Sequence, residues 1–264
     1  MTAKNFLIRE KGMKRKIFIC LIFMAILNTA LIFTAHASEN KHYVIGVEDL
    51  QYYPLWYYDK VQNEYTGLAR KMLEEFARSA GYTLEYKPYP IKRLHRVLVA
   101  GEVDFKFPDN PQWAQDLKGD TKITYSDPAI DYIDGVFVKP GNVGKGNSSI
   151  NTLGSVLGFT PWDWLEKIES GEVVLREAPD FNGLINQAIA GRIDGAYVNA
   201  AIVRYNLKTS GRQDAIIFDG SLSHTKGHYL LSTTKHPNII NEFNTWMAEN
   251  KDSIVAMKEE FGVE

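Results

Sequence analysis

Ala100-Gly101-Glu102-Val103-Asp104 returns ninety residues later as Ala190-Gly191-Arg192-Ile193-Asp194. In each copy a Gly closes an amphipathic helix, because Gly tolerates the left-handed exit from a helix. An apolar strand follows, Val103–Phe107 in one copy and Ile193–Val198 in the other. Two similar α/β units in one short chain imply two lobes facing each other across a cleft, where a ligand sits in such architectures. A-G-x-[VI]-D is also a common helix-to-strand turn, so the echo counts only if the rest of the chain agrees with it.

The first unit begins with the apolar strand His42–Val47, followed by a long loop rich in aromatics. Thr66 is placed to cap a helix from Gly67 to Ala80, with Leu68, Met72, Phe76 and Ala80 on one face and Gly81 as its stop. A strand at Tyr82–Tyr86 and a helix from Pro90 to Val99 precede Val103–Phe107, giving β-α-β-α-β and a parallel sheet. The second unit repeats the order: strand Ser155–Phe159, helix Trp162–Ser170, strand Val173–Arg176, helix Phe181–Ala190, strand Ile193–Val198. Thr124–Gly141 reads as an extended crossover, Pro237–Phe261 as two terminal helices, and 141–149 as a mobile loop.

The N-terminal segment has the form of a secretory signal. Lys14, Arg15 and Lys16 precede the apolar stretch Ile17–Leu27, and Ala35-His36-Ala37 predicts cleavage before Ser38. An uncleaved anchor is the rival reading, since Ile17–Thr34 is nearly long enough to span a bilayer, though Asn28 and Thr29 interrupt it. Met13 is an alternative start. The single cysteine, Cys20, lies inside the apolar stretch without the small residues that a lipoprotein site needs, so the mature chain is expected to hold no disulfide.

Residues 1–37 carry six Lys or Arg and one acid, so the chain from Ser38 onward keeps 24 basic and 31 acidic residues, a net charge of −7. That balance repels nucleic acid and anionic lipid. The remaining 227 residues suffice for two small lobes with real cores.

The signal-like segment, Tyr65-Thr66-Gly67 before the first helix, "AGEVDF", "YSDPAI" before the crossover and "GHYLLSTTKHPNIINEFNTWM" near the end resemble the bacterial extracellular solute-binding proteins of family 3. The resemblance covers residues 42–262. It implies an α/β, two-lobed periplasmic-binding-protein-like (type II) fold, each lobe a mostly parallel sheet flanked by helices, with two chain crossovers near Asp134–Val138 and Gly227–Leu231. The implied division is a signal peptide at 1–37, lobe I at 38–134 plus 231–264, and lobe II at 135–230. It further implies a periplasmic monomer that captures an amino acid-like or other small polar solute for an ABC transporter permease.

The resemblance fails where ligand chemistry is set. Amino-acid-binding members place an Arg just past the strand ending the first unit, where it forks onto the ligand carboxylate; here Pro108–Asp116 holds no Arg or Lys. The Asp that holds the ligand ammonium is matched by Asn199. Other groups must therefore bind the solute. Tyr52, Tyr53 and Trp56, in the loop after the first strand, suit a flat or cationic ligand, although Trp56 and Tyr58 are equally suited to capping the core. Arg93 follows Pro90-Ile91-Lys92 and could replace the missing fork, or form a surface ion pair. Lys106 breaks an apolar strand, and Asp109 and Asn110 stand at its carboxyl end, where ligands bind. Thr160 and Trp162 open a helix directly after a strand, where backbone N–H groups make an anion site.

No nucleophile motif or phosphate loop is present. His224 and His228 are four apart in a strand-like stretch, unsuited to a metal pair, so neither metal nor cofactor is expected. Asp127, Asp131 and Asp134 read as a solvated or hinge-proximal stretch. Two alternatives stand beside transport. One is an enzyme on the same scaffold, resembling cyclohexadienyl dehydratases, with Glu48 or Asp109 as general acid. The other is a ligand-loaded sensor docking on a membrane receptor.

Overall fold

The computed structural model describes residues 41–263; the expected signal peptide and its cleavage site lie outside the described residues. The chain opens with β1 (Lys41–Glu48) and a small antiparallel sheet of β2 (Gln51–Tyr52), β3 (Trp56–Asp59) and β4 (Glu64–Thr66). Helix α1 (Leu68–Ala80), β5 (Tyr82–Tyr89), α2 (Ile91–Val99) and β6 (Phe105–Asp109) complete the first unit. A short α3 (Gln115–Lys118) and β7 (Thr124–Tyr125) lead into β8 (Ile130–Val138). The second unit runs β9 (Thr152–Val156), α4 (Leu165–Glu169), β10 (Val174–Ala178), α5 (Phe181–Ala190), β11 (Gly195–Asn199), α6 (Ala200–Thr209) and β12 (Ile217–Phe218). The chain returns through β13 (Thr225–Thr233) and ends in α7 (Pro237–Glu249) and α8 (Lys251–Phe261).

The main sheet has the order β10-β9-β11-β8-β13-β6-β1-β5. Within each unit the pairings are parallel: β1 with β6, and β9 with both β10 and β11. Within the sheet the two units are joined through β8 and β13, which pair antiparallel, Thr225 opposite Asp134 and Tyr229 opposite Ile130. Beyond that shared stretch β8 pairs with β11 and β13 pairs with β6. These are the two stretches read from the sequence as crossovers.

The echoed motif is the same device twice. Gly101 and Gly191 leave their helices at φ 69° and 70°, a conformation that glycine adopts without strain. Helix closure also matches: Glu102 N donates to Val97 O and Arg192 N to Gln187 O. Asp104 then accepts from Val44 N at 2.8 Å, while Asp194 accepts from Asn151 N and Thr152 N at 3.0 and 2.8 Å. Each carboxylate thus ties the turn to the first strand of its own unit. Gly46 on β1 makes room for Leu94 and Val103, and Gly154 on β9 does so for Leu184 and Ile193; an added Cβ would stand 2.7 Å from the Leu94 Cδ1 and 2.4 Å from the Ile193 Cδ1.

Several local expectations are corrected. Val103 and Ile193 are buried but belong to the turn, so β6 and β11 start two residues later than expected. Thr66 ends β4 and caps nothing; Gly67 precedes α1 at φ 104°, with Leu55 O only 2.8 Å from where a Cβ would be. The strand expected at 155–159 lies at 152–156, because Asp194 fixes its first residues. The helix expected over 162–170 is a 3₁₀ turn, Trp162–Trp164, followed by the five-residue α4. Trp164 is buried there and donates its indole N–H to Ser223 O at 3.0 Å. The loop 141–149 is held by Asn147, which bonds both the backbone and the hydroxyl of Ser223, and by Gly144 N on Asp219.

Helix α1 buries Leu68, Met72, Leu73 and Phe76 along one face. The Phe76 ring meets Phe243 of α7 at 5.1 Å, and Lys71 pairs with Glu260 of α8, so the C-terminal helices pack on the first unit. Full burial of a ring such as Phe76 stabilises by about 1.5–3 kcal/mol.

Replacing Asp194 by Ala leaves two strand N–H groups without their charged acceptor and is expected to cost about 1.5–3 kcal/mol. Asp194→Asn, which keeps an acceptor oxygen, should cost less. Urea unfolding midpoints of the two variants check this; equal losses would show that the carboxylate clamp is not the cause.

Candidate functional site

An open cleft of about 1040 Å³ lies beside the loop after β1. Segment 49–66 forms one wall, and Val156, the Pro179–Asn182 turn and Tyr205–Asn206 form the other. Tyr53 reaches across it, its ring 4.7 Å from that of Tyr205 in an edge contact. Among the described lining residues the acids are Asp49, Asp59 and Asp180, and the only cation is Lys60, paired with Asp49 at 2.8 Å. Asp59 Oδ1 accepts from Val61 N and Gln62 N, and Asp180 Oδ1 caps α5 through Gly183 N.

Phe181 separates this cleft from a buried interior. It lines the cleft and also touches the ring of Tyr52 at 5.4 Å, and Phe159 stacks on Tyr52 at 5.8 Å. Behind Tyr52 stand Trp56 at 4.7 Å, then Tyr229 at 4.9 Å from Trp56, then Tyr132 stacked on Tyr229 at 4.5 Å. Tyr132 can lie so close because Gly227 has no Cβ, which would stand 2.5 Å from its hydroxyl.

Two carboxyls flank this aromatic group. Burial pushes Glu48, at the end of β1, up to about 7; the Lys106 ammonium opposes the shift and Asp109 adds to it. Asp134 is half-buried on β8, and the protein packed round its carboxyl pushes it up to about 7, against one hydrogen bond from Asn199 Nδ2 at 3.0 Å. Both acids, with burial as the larger cause, keep the hydroxyls of Tyr52 and Tyr229 protonated. Trp56 Nε1 and the Tyr65 hydroxyl are buried without a hydrogen-bond partner of normal geometry, Trp56 near enough to Glu48 to weaken the rise of its pKa.

Beneath them Asp109 forms a compact charge knot. It is fully buried and takes Lys106 Nζ at 3.1 Å, Lys118 Nζ at 2.9 Å and the Ser232 hydroxyl at 2.7 Å. Lys118 also donates to Asn110 O at 2.6 Å and Lys106 to Pro108 O, while the Lys106 ammonium lies 5.7 Å from the Trp113 ring. Burial raises the Asp109 pKa, and the two ammonium groups more than reverse that, so it stays ionised. His95 is buried nearby; burial first and Lys106 second push it down to about 4.

Of the residues singled out from the sequence, Tyr53 lines the open cleft, whereas Tyr52, Trp56, Lys106, Asp109 and Asn199 form or adjoin the buried interior. Asn110 borders it, donating to His228 O at 3.2 Å. Asn199 caps α6 through Ala201 N and holds Asp134. Arg93 is elsewhere, exposed with its guanidinium 5.5 Å from the Tyr89 ring. Thr160 and Trp162 are exposed and outside the cleft lining, at the start of a helix too short to concentrate backbone charge. His224 and His228 do not form a pair: one contacts Leu222 O and the other Asp131.

Sequence reasoning missed Asp134, Lys118, Tyr132, Tyr205, Phe181 and Tyr229. Asp127, Asp131 and Asp134 read alike in the sequence, as solvated or hinge-proximal; Asp127 and Asp131 are exposed, whereas Asp134 is half-buried on β8. Lys118 lies two residues beyond Pro108–Asp116, and α3 winds it back onto Asp109.

The sequence matches no protein-family model and no curated protein. Solved structures share its fold. An ancestral arginine-binding protein bound to arginine is 18% identical, covers 83% of this chain and 97% of its own, and gives a TM-score of 0.63. A substrate-binding protein of an ABC uptake transporter from Streptococcus pneumoniae, with bound histidine, is 17% identical over 84% and 92%, with a TM-score of 0.63. An ancestral amino acid-binding protein, a precursor of cyclohexadienyl dehydratase, is 17% identical over 83% and 95%, with a TM-score of 0.60. The chain therefore has the two-lobed type II periplasmic-binding-protein fold.

Asp109→Ala would strand two buried ammonium groups and is expected to destabilise by about 3–5 kcal/mol, read from urea unfolding. A loss below 1 kcal/mol, roughly that of an exposed pair, would count against the knot. A second prediction concerns pH. Folded Glu48 and Asp134 keep their protons to about 7, against ordinary values of 4.5 and 3.8, so the folded state binds more protons in that window and stability falls as pH rises through it. His95 opposes this between about 4 and 6.5, where the unfolded state binds the extra proton. His95 thus offsets about one of the two carboxyls up to about 6.5, the net fall is that of about one proton, and it ends as pH rises past about 7, where the folded carboxyls ionise. Asp134→Asn should melt higher than the parent at about pH 8 and nearly equal to it at about pH 5; an unchanged difference across pH would exclude Asp134 as the source.

Proposed function

We propose that this protein is a solute-binding protein of the extracellular family 3 type, working outside the cytoplasmic membrane and delivering a small polar solute to an ABC transporter permease. Lobe I comprises 38–134 and 231–264, lobe II 135–230, and β8 with β13 is the hinge between them. The observation that carries the reading is the cleft: one wall comes from 49–66 and the other from Val156, Pro179–Asn182 and Tyr205–Asn206, so each proposed lobe supplies half of the site. The shared fold of solved amino acid-binding proteins supports the same role. Lobes joined by two strands can swing about them, and a solute that contacts both walls favours the closed arrangement over the open one. Tyr53 contributes through its ring, which already spans the gap to Tyr205.

One observation favours a second reading. Glu48 is buried at the carboxyl end of a strand with its carboxyl near 7, the value that suits a general acid at neutral pH. A structure of the same fold is a precursor of cyclohexadienyl dehydratase. Under this reading the Tyr52–Phe181 contact must open to admit a prephenate-like acid.

Small-angle scattering should show a smaller radius of gyration when a bound solute is present, and Tyr53→Ala should weaken that solute by about 1–3 kcal/mol while the fold survives. A radius unchanged by a solute that calorimetry shows to be bound would defeat the closing mechanism. Conversion of prephenate that disappears in Glu48→Gln would replace binding by catalysis.

A further inference from the structure

The structure carries a statement about the charge of the solute. The cleft holds three acids against one lysine, and that lysine is already paired with Asp49. Asp59 and Asp180 each use one carboxylate oxygen on backbone N–H groups of their own turn and so remain as fixed negative charges on opposite walls. The rings of Tyr53, Tyr57 and Tyr205 supply negatively polarised faces between them.

The interior behind Phe181 offers no uncommitted cation to an anionic solute. Its two ammonium groups, Lys106 and Lys118, are both committed to Asp109, while Glu48 and Asp134 make no ion pair with a cation among the described residues. The buried indole N–H of Trp56 faces Glu48 and eases its ionisation without supplying a charge. The cations that could receive a carboxylate are elsewhere: Arg93 stands over Tyr89 on the exposed face. Among the described lining residues there is no arginine to offer the two-bonded fork that a carboxylate takes.

We propose that the cleft selects a compact organic cation that carries no carboxylate, an amine, guanidine or quaternary ammonium on a small body, held between the tyrosine rings by Asp59 and Asp180. The inference rests on the solute-binding reading and narrows it. Attraction between fixed acids and a cation is strengthened by closure, which removes water from between them, and weakened by salt while the cleft is open.

The purified protein is titrated by calorimetry and by thermal shift with choline, agmatine and putrescine, and in parallel with L-arginine, L-glutamine and succinate. At least one of the three carboxylate-free cations is expected to bind more tightly than every carboxylate-bearing probe, and its affinity to fall with added salt. The double variant Asp59→Asn, Asp180→Asn keeps the oxygens that hold both turns and removes the charges, so it should melt like the parent without probe and bind the cation at least tenfold more weakly. Tighter binding of succinate or glutamine would overturn the inference yet leave a solute-binding protein, as judged by scattering. Binding by none of the three cations, or full affinity in the double variant, would overturn it as well.

Discussion

A single carboxylate fixes the first strand of each α/β unit. Asp104 reaches Val44 N in one and Asp194 reaches Asn151 N and Thr152 N in the other. The same turn returns its own N–H to that strand, Asp104 N to Val44 O and Asp194 N to Thr152 O, each at 2.9 Å. A turn that both donates to and accepts from its neighbour fixes register, and in a parallel sheet a slip of one residue would reverse every side chain. Gly46 and Gly154 then let the motif's Val or Ile and a helical Leu close onto the strand. Asp104 carries an added load, pairing with Lys235 at 2.6 Å and His236 at 3.1 Å, and so also holds the start of α7 against the first unit.

With both units fixed, the connection between them is left to β8 and β13, and this concentrates polar groups where the sheet changes partner. Asp134 stands opposite Thr225 on one side and Asn199 on the other. Leu230 stands opposite Asp109. Strand ends converge at such a point, and carboxyl ends of strands are where an α/β sheet exposes backbone and polar side chains to a guest. The chain meets the resulting charge in two ways. Asp109 is saturated by two lysines and a serine, which makes it a structural element. Glu48 and Asp134 are covered mainly by aromatic rings, which exclude water without supplying charge, and their pKa values rise accordingly.

The sequence made the framework legible because that framework depends on local rules. Helix α5 is legible at its observed bounds, Phe181–Ala190, and so are the glycine exits and the two terminal helices. Errors of two or three residues arose where a tertiary contact overrode propensity. Val103 and Ile193 look like strand residues but are packing pegs in a turn, and Trp164 anchors to Ser223 and cuts a helix short. The site was less legible for a different reason. Nothing local distinguishes Asp134 from Asp131, three residues away; one is packed beside Asn199, and the other is exposed between His228 and Lys258. Lys106 stood out because a lysine breaks an apolar strand, whereas Lys118 gave no such signal.

The aromatic contact of Tyr52 with Phe159 and Phe181 decides how the two layers of the site communicate. Those three rings bring a loop of the first unit against the end of β9 and the start of α5, so any separation of the proposed lobes must part them. Parting admits water to Tyr52 and, behind it, to Glu48 and Asp134, whose carboxyls would then lose much of the burial that keeps them protonated. Under the proposed lobe movement an open form would therefore carry more negative charge at these two carboxyls than a closed one, and raising the pH through about 7 would favour opening.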